Sequence, residues 1–346
     1  MRYSVVIPTY NRAADLREAL TSLAQIRSPG DWEVIVVDNN STDTTPQTVA
    51  EFAEGFPVPL RYVQEPVQGI SAALNTGVLS ASGELIALSN DDCRFDPDWL
   101  VNATQALARF DCSYVGGKIL PFWQGTPPSW VSLDSARQRA VLGLVNYPTA
   151  YFEFGTNPVV GGNLVVRREV FDRVGLWNPE FGRKAGTLLG QEMREWCLRV
   201  HKAGLRGVYI PEMVVYHLVP ADRLTRQYFC RWFYWHGISR AMLYQRLGLD
   251  MESPERSELD FSSVPHVAGV PRYLYRTALN SLGKVVGRVL RRDTAAAFDE
   301  LLWVFFFVGI VRQRWKERGL SSIPPRADSM SGNDAIEIVP SDITNR

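Results

Sequence analysis

Ala87-Leu88-Ser89-Asn90-Asp91-Asp92-Cys93 decides how the rest of the chain reads. Upstream, Gly83-Glu84-Leu85-Ile86-Ala87-Leu88 follows a Ser-Gly turn and is an apolar run of strand length. Downstream, Asp96-Pro97-Asp98 breaks the chain before a helix beginning near Trp99. The carboxylates of Asp91 and Asp92 therefore fall at the C-terminal end of a strand, where open α/β sheets place their ligands. Two adjacent acids there suit a hard divalent cation that neutralises phosphate oxygens. A solvated turn capping the next helix would use the same residues, so the surrounding chain must arbitrate.

Working outward, Tyr3-Ser4-Val5-Val6-Ile7-Pro8 is apolar without alternation, the pattern of a strand buried on both faces. Thr9-Tyr10-Asn11-Arg12 is the loop after it, and Leu16, Leu20, Leu23 and Ala24 then recur at helical spacing. A second strand, Trp32 to Val37, ends at Asp38-Asn39-Asn40-Ser41-Thr42-Asp43. Pro46 stands in the first turn of the following helix, where a missing N–H costs nothing. Leu60 to Val63 is a third short strand, Gly69-Ile70-Ser71 opens a helix over Ala72 to Leu79, and the strand before Asn90 is the fourth. This alternation predicts a mostly parallel sheet with helices on both faces. Right-handed crossovers bring its three polar loops to one edge. Such convergence reads as a nucleotide site, although strand-to-helix loops are commonly polar and Asp43 also suits a helix cap. No GxGxxG or GxxxxGK[ST] occurs, which argues against dinucleotide and P-loop sites.

At 346 residues the chain has room for one large or two smaller domains. Its hydrophobic content of 46% is ample for a core, and a formal net charge of zero points to no nucleic-acid partner. Cys93, Cys112, Cys197 and Cys230 form no CxxC pair. Neither a disulfide framework nor a zinc site is indicated, and a reduced cytoplasmic setting fits. Met1-Arg2-Tyr3 followed at once by a strand is not the plan of a signal peptide. The longest apolar run, Leu301 to Val311, is shorter than the ~20 residues of a spanning helix. No internal repeat is present.

Together these stretches resemble the family 2 glycosyltransferases, whose glycosyltransferase A-type (GT-A) fold is a Rossmann-like, mostly parallel sheet flanked by helices. Val5 to Arg12 is similar to that family's opening strand and base-binding loop, which implies Pro8, Thr9, Asn11 and Arg12 as nucleotide contacts. Val36 to Asp43 is similar to its second strand, implying Asp38 and Asn40. Gly69 to Gly77 is similar to its third element, implying Gly69 and Asn75, although an Arg often stands where Leu74 is. Asn90-Asp91-Asp92 falls on its DxD-type metal motif with Asn at the first acidic place. The resemblance therefore makes Asp92 the metal ligand, with Asn90 and Asp91 in support. Gly161 to Arg168 resembles the acceptor-side strand, implying Gly162 and Asn163, and Phe171 to Gly182 matches the segment after it. Tyr209 to His217 resembles the strand whose terminal His reaches the metal. Imidazole beside carboxylate and diphosphate oxygens suits Mn2+ or Mg2+. Outside this pattern, a His at a strand end is commonly a hydrogen-bonded structural residue.

Inverting transfer needs a carboxylate that takes the acceptor hydroxyl's proton as the diphosphate leaves. In the family it comes from a Glu-Asp pair opening a helix that ends in Arg-x-x-x-Ala-Gly or similar. Aligned from Arg199 and Gly204, this chain has Glu192 at the Glu and Met193 at the Asp, the usual base. Met193, Trp196, Cys197 and Val200 form an apolar helical stripe, and Glu192, Glu195 and Arg199 form the polar stripe beside it. A thioether accepts no proton here. Glu192 is the expected base, with Glu195 second unless it only pairs with Arg199 across one turn.

Phe122 to Trp130 is aromatic and rich in turn formers; Trp123 and Trp130 either stack on an acceptor sugar or pack a lid onto the sheet. The basic loop Gly182 to Thr187 either closes over the diphosphate or is solvated. Beyond His217, Tyr228, Phe229, Trp232, Phe233 and Trp235 are either core or a membrane-interface belt. Leu301 to Val308 lies between Arg272, Arg276, Lys284, Arg288, Arg291 and Arg292 on one side and Arg312, Arg314, Lys316 and Arg318 on the other. That arrangement suits a helix lying in an anionic bilayer surface, and equally a buried helix of a small bundle.

The expected organisation is a nucleotide-sugar-binding half over 1–115 and an acceptor-binding and catalytic half over 116–220. A helical extension follows over 221–320, with peripheral membrane contact through 272–318, and then a flexible tail over 321–346. The expected activity is metal-dependent, inverting transfer of a sugar from a nucleoside-diphosphate sugar, UDP favoured. The acceptor is a hydroxyl of a glycan or lipid-linked molecule, in polysaccharide or glycoconjugate synthesis, in the cytoplasm or at the inner face of the cell membrane. Two other classes stay open. Met193 and Asn90 suggest a non-catalytic sugar-nucleotide-binding subunit. A nucleotidyltransferase is disfavoured by the absence of a Gly-rich, Arg/Lys-containing loop after the first strand. Donor sugar and acceptor do not follow from fold.

Overall fold

The structure is a computed structural model that describes residues 2–147, 150–155, 159–247 and 264–317. Arg318 and the expected tail over 321–346 lie outside the described residues.

The first third alternates β1 (Tyr3–Thr9), α1 (Ala13–Leu23), β2 (Trp32–Asp38), α2 (Thr45–Ala53), β3 (Leu60–Gln64), α3 (Ile70–Ser80) and β4 (Leu85–Leu88). Then come β5 (Cys93–Phe95), α4 (Trp99–Phe110), β6 (Tyr114–Trp123), α5 (Ala136–Val141), β7 (Phe152–Glu153), β8 (Leu164–Arg167) and α6 (Arg168–Val174). α7 (Glu192–Lys202) precedes the long β9 (Gly207–Val219). The chain continues through α8 (Arg226–Leu247), the hairpin β10 (His266–Val267) and β11 (Val270–Pro271), α9 (Arg272–Leu290) and α10 (Thr294–Lys316).

The sheet runs β3-β2-β1-β4-β8-β6-β9-β5, with β7 on β9. β3, β2, β1 and β4 are parallel, β8 runs against both β4 and β6, and β6 and β9 are parallel again. Parallel pairings thus carry most of the ladder, and the fold is mixed α/β, as the resemblance implies. Every residue of β1 and β2 is buried, which is why both appear as unbroken apolar runs. Their register, ending at Thr9↔Asp38, aligns the two strand ends, and Val6↔Leu88 brings Ser89 to Asp92 alongside. The chain goes from β1 outward to β3 and then returns to β4 on the other side of β1. That reversal opens a crevice at the carboxyl ends of β1 and β4.

One core lies under α1 and α4 and extends to α8 and α10; the other lies under α3, α6 and α7. α8 and α10 approach closely because Gly237 faces the Phe306 carbonyl and Gly309 faces the Tyr234 carbonyl, where no Cβ fits. Among the described residues α10, 23 residues long, is the one helix long and apolar enough by length and composition to cross a membrane. The uninterrupted apolar run is Leu301 to Val311, as read from the sequence, but the helix that holds it is longer than the run. Ala295, Ala296, Ala297 and Phe298 extend the helix upstream, with Asp299 and Glu300 between them and Leu301. One face of α10, with Leu302, Phe306 and Ile310, is buried.

Candidate active site

Pairing of β5 with β9 sets Cys93 opposite His217, and the Leu218 N–H donates to the Asp92 carbonyl at 2.8 Å. Backbone register alone therefore brings two distant side chains together: His217 Nε2 is 3.4 Å from Asp92 Oδ2. Arg12 Nη1 donates to the same oxygen at 2.8 Å and to Asp91 Oδ1 at 3.3 Å. Thr9 Oγ1 donates to Asp91 Oδ2 at 2.8 Å, and Arg223 Nη2 stands 3.6 Å from Asp92 Oδ2. Burial acts to raise both acids. At Asp92 the combined pull of His217, Arg12 and Arg223 outweighs it and holds the carboxyl well below the usual range. Asp91 faces burial and then the Asp92 charge, and is pushed up.

Two buried polar atoms here have no hydrogen-bond partner among the described residues, Asp92 Oδ1 and His217 Nδ1. A carboxylate oxygen and an imidazole nitrogen are donors that Mn2+ or Mg2+ accepts, and such ions commonly complete their shell with phosphate oxygens and water. Among the described residues no group of three or more His, Cys, Asp or Glu side chains could hold a cation unaided. The donor set therefore fits a cation that shares its shell with a bound diphosphate.

These groups line a cleft of about 580 Å³, within the size range of small-molecule sites. Of the residues named from sequence, Pro8, Thr9, Arg12, Gly69, Asn90, Asp91, Asp92, Gly162, Glu192 and His217 line it. Others at motif positions do not. Asp38 is 1% exposed; its Oδ1 accepts from the Ser41 N–H at 2.8 Å and its Oδ2 from the Tyr62 hydroxyl at 2.7 Å. Asn11 and Asn40 adopt left-handed backbone angles, φ 51° and 69°, which Asn tolerates, and Asn11 Oδ1 accepts from the Thr42 N–H at 2.7 Å. Asn11 stitches the two loops together. Asn75 clamps the Trp177 backbone at 2.9 and 3.0 Å. Asn163 donates to the Lys118 and Met213 carbonyls and accepts from Trp99 Nε1, each at 2.8 Å, so its amide is spent in the core.

The two tryptophans expected near the acceptor also pack inward. Trp130 makes edge contacts with Phe229 and Phe298, both at 5.0 Å, and Trp123 packs on the same core. The aromatic wall of the cleft comes instead from α8, where Tyr228, Trp232 and His236 recur one turn apart and Trp232 stacks on His236 at 4.7 Å. Burial drives the His236 pKa down to about 3, with Arg240 and Arg194 adding to it. Arg223 and His236 escaped the sequence reading. The available signals were a basic turn just past the His217 strand and an i+4 step from Trp232.

Glu192 opens α7 and faces the cleft, and its buried Oε2 has no hydrogen-bond partner among the described residues. Burial raises its pKa from 4.5 to about 7, offset in part by its own backbone N–H and by Arg183. Glu195 does not line the cleft. It holds Arg199 in a two-bond fork at 2.7 and 2.8 Å, and Arg199 also caps the Leu176 carbonyl at 2.7 Å. Met193 lies against Gly161, where an added Cβ would meet its methyl at 2.5 Å. The loop from Arg183 to Thr187 lines the cleft, tied to α3 by the Ile70 N–H donating to the Arg183 carbonyl at 2.9 Å.

Comparison with known proteins bears on the family and the fold. A family described as "Glycosyl transferase family 2" matches over residues 4–175. Glycosyltransferase AglE of Haloferax volcanii is 31% identical over 117 residues, which is 34% of this chain and 38% of that protein. The Glucosyl-dolichyl phosphate glucuronosyltransferase of the same organism is 26% identical over 251 residues, 70% of this chain and 77% of that protein. Across the first curated relatives the chain spans from 25% to 77% of their length. The solved structure of mannosyltransferase PcManGT from Pyrobaculum calidifontis, in complex with GDP-Man and Mn2+, has a TM-score of 0.58 at 19% identity. It covers 91% of this chain and 87% of its own, a likeness of fold.

Proposed function

The chain belongs to the family 2 glycosyltransferases with the GT-A fold, and from that membership we propose metal-dependent, inverting transfer from a nucleoside-diphosphate sugar. One observation carries the proposal: Arg12, Asp92, Glu192, His217 and Arg223 line a single cleft at the point where strand order reverses.

Asp92 and His217 would hold the cation, Mn2+ or Mg2+, which when bound neutralises charge on the leaving diphosphate. Arg12 and Arg223 add fixed positive charge at the same end, already oriented by Asp91 and Asp92, and so cost no reorganisation when charge develops. The strand-end loops around Pro8, Thr9 and Gly69 receive the nucleoside. UDP is the favoured carrier, with GDP the alternative that the PcManGT complex raises. Glu192 accepts the acceptor hydroxyl's proton while that oxygen attacks the anomeric carbon and the bond to the diphosphate breaks in line. A pKa near 7 suits a general base. Met193, at the usual base position, supports a second reading, a sugar-nucleotide-binding subunit without turnover.

The acceptor is a hydroxyl of a glycan or lipid-linked molecule in polysaccharide or glycoconjugate synthesis. The relative named for glucosyl-dolichyl phosphate supports the lipid-linked form. We place the protein on the cytoplasmic side at the inner face of the cell membrane, with peripheral contact through 272–318. Calorimetric titration with UDP and GDP, with and without Mn2+, on the wild type and Asp92→Ala, tests the reading. Mn2+-dependent binding lost in the variant supports it, and absence of diphosphate binding under every condition refutes it. Binding without turnover of any offered donor favours the subunit reading.

A further inference from the structure

On α9 the buried residues Leu274, Ala278 and Ser281 form one narrow stripe. Away from it stand Leu279, Leu282, Val286, Val289 and Leu290, exposed by 68%, 43%, 59%, 54% and 79%. Their spacing of i, i+3, i+7, i+10, i+11 describes a single helical face. This is a continuous strip, unlike the scattered exposed apolar residues that need no explanation. α9 also carries Arg272, Arg276, Lys284 and Arg288 and no acidic residue, and Arg291 and Arg292 follow at once. By helical geometry Arg272 and Arg276 border the strip on the side away from the core, and Arg291 and Arg292 close its C-terminal end, whereas Lys284 and Arg288 turn toward Glu300 of α10.

Support comes from beneath. Tyr275 meets Phe307 of α10 at 5.0 Å, and Glu300 of α10 faces Lys284 at 3.9 Å and Arg288 at 3.8 Å. α10 is itself held to α8 by its buried Leu302, Phe306 and Ile310. The most apolar run of the chain, Leu301 to Val308, thus spends much of its surface on the core, and the larger uncovered apolar strip belongs to α9. Val308 and Trp315, 47% and 65% exposed, add to the outward apolar surface of α10.

We propose that α9 is a docking surface for an anionic lipid bilayer. The helix lies in the membrane plane with Leu279, Leu282, Val286, Val289 and Leu290 at the acyl boundary and the arginines among the headgroups. The charge complementarity of an apolar strip bordered by exposed Arg272, Arg276, Arg291 and Arg292 selects this occupant. A second copy of the chain would bring like charges together. The stretch 248–263, with Asp250, Glu252, Glu255, Glu258 and Asp260 against Arg256, is the competing occupant within the chain. The proposal involves no step of the transfer reaction, so UDP binding and vesicle binding fail independently.

Flotation of the full chain with phosphatidylglycerol–phosphatidylcholine vesicles and with pure phosphatidylcholine vesicles, at low and high salt, tests it. The chain floats with the anionic vesicles, weakly with the neutral ones, and less as salt rises. Arg276→Gln and Arg291→Gln each weaken binding about fivefold. Leu282→Glu/Val286→Glu abolishes flotation while thermal melting and UDP binding stay at wild-type values. Failure to float with anionic vesicles, or flotation indifferent to these variants, overturns the proposal. If the double variant instead converts a dimer to a monomer in sedimentation, a second copy covers the strip. If neutralising the acids of 248–263 is what first exposes the strip to a hydrophobic dye, that segment covers it. Both results also overturn lipid docking.

Discussion

Glu192→Gln removes the charge from a carboxyl whose pKa burial raises from 4.5 to about 7, and it acts on stability and turnover in opposite directions. Below pH 4.5 the group is protonated in folded and unfolded chains alike and the charge costs nothing. Between 4.5 and 7 the folded chain keeps a proton that the unfolded chain has released, so stability falls as pH rises. Above 7 the whole cost is present. At 1.36 kcal/mol per pH unit the interval amounts to at most about 3 kcal/mol. The Gln variant is free of this cost. At pH 8 it should therefore melt up to about 6 °C above the wild type, at the lower end of about 2–4 °C per kcal/mol because the chain is long, and at pH 4 the difference should vanish. Loss of a general base should lower turnover by about 10²–10⁴-fold, with donor affinity retained. Wild-type turnover should rise with pH through about 7, as the base ionises. Scanning calorimetry across pH and a diphosphate-release assay read both effects. A variant that keeps most of its turnover, or that loses stability and turnover together at pH 8, would refute the assignment of Glu192 as a buried base.

Asp92→Asn keeps the side-chain volume but removes the charge that Arg12, His217 and Arg223 surround, so Mn2+-supported UDP affinity should fall at least about tenfold in calorimetry, consistent with a charged ligand contact worth about 1.5–3 kcal/mol. Affinity without Mn2+ should change far less. Trp130→Ala opens a gap between Phe229 and Phe298 and should cost about 3 kcal/mol in urea unfolding with donor and acceptor KM unchanged. A raised acceptor KM at unchanged stability would return Trp130 to the acceptor site. Glu195→Gln breaks the fork to Arg199, whose side chain is 31% exposed, and should cost about 2 kcal/mol while turnover per folded molecule is preserved.

The strands and the metal-side residues were legible because each rests on a local signal. β1 and β2 are buried on both faces, so their apolar runs show no alternation, and Asp92 lies in the loop just past β4 and His217 near the end of β9, strands whose order along the chain was already clear. Whether a polar group at a strand end points into the cleft is not a local property. Asp38 is satisfied by Tyr62, 24 residues away, and Asn75 by Trp177, 102 residues away. The sequence shows that such a group needs a partner but not which partner reaches it first. The tryptophans illustrate the same limit. Trp130 and Trp232 are equally suited to stack on a sugar ring, and only the arrival of Phe298 from α10 buries the first, while the pitch of α8 turns the second toward the cleft.

Met193 shows how a departure from a family pattern becomes intelligible once neighbours are known. Its thioether lies against Gly161, in contact with the apolar core under α7, so the position is shaped for a long apolar side chain. An Asp there would be too short to fill the space and would put a second carboxylate beside Glu192 in the same cleft. Burial is already the main force raising Glu192 to about 7, and a nearby like charge would raise it further. The base would then be protonated at neutral pH, so restoring the family residue should not restore activity. Met193→Asp should leave turnover near pH 7 unchanged or reduced, shift the pH-rate profile upward, and lower the melting temperature through the added buried charge. Steady-state rates between pH 6 and 9, compared with those of Met193→Leu, separate the electrostatic effect from the packing loss that both variants share. A large gain in turnover for the Asp variant alone would mean that Glu192 is not the working base and that the protein is held inactive by the loss of that Asp.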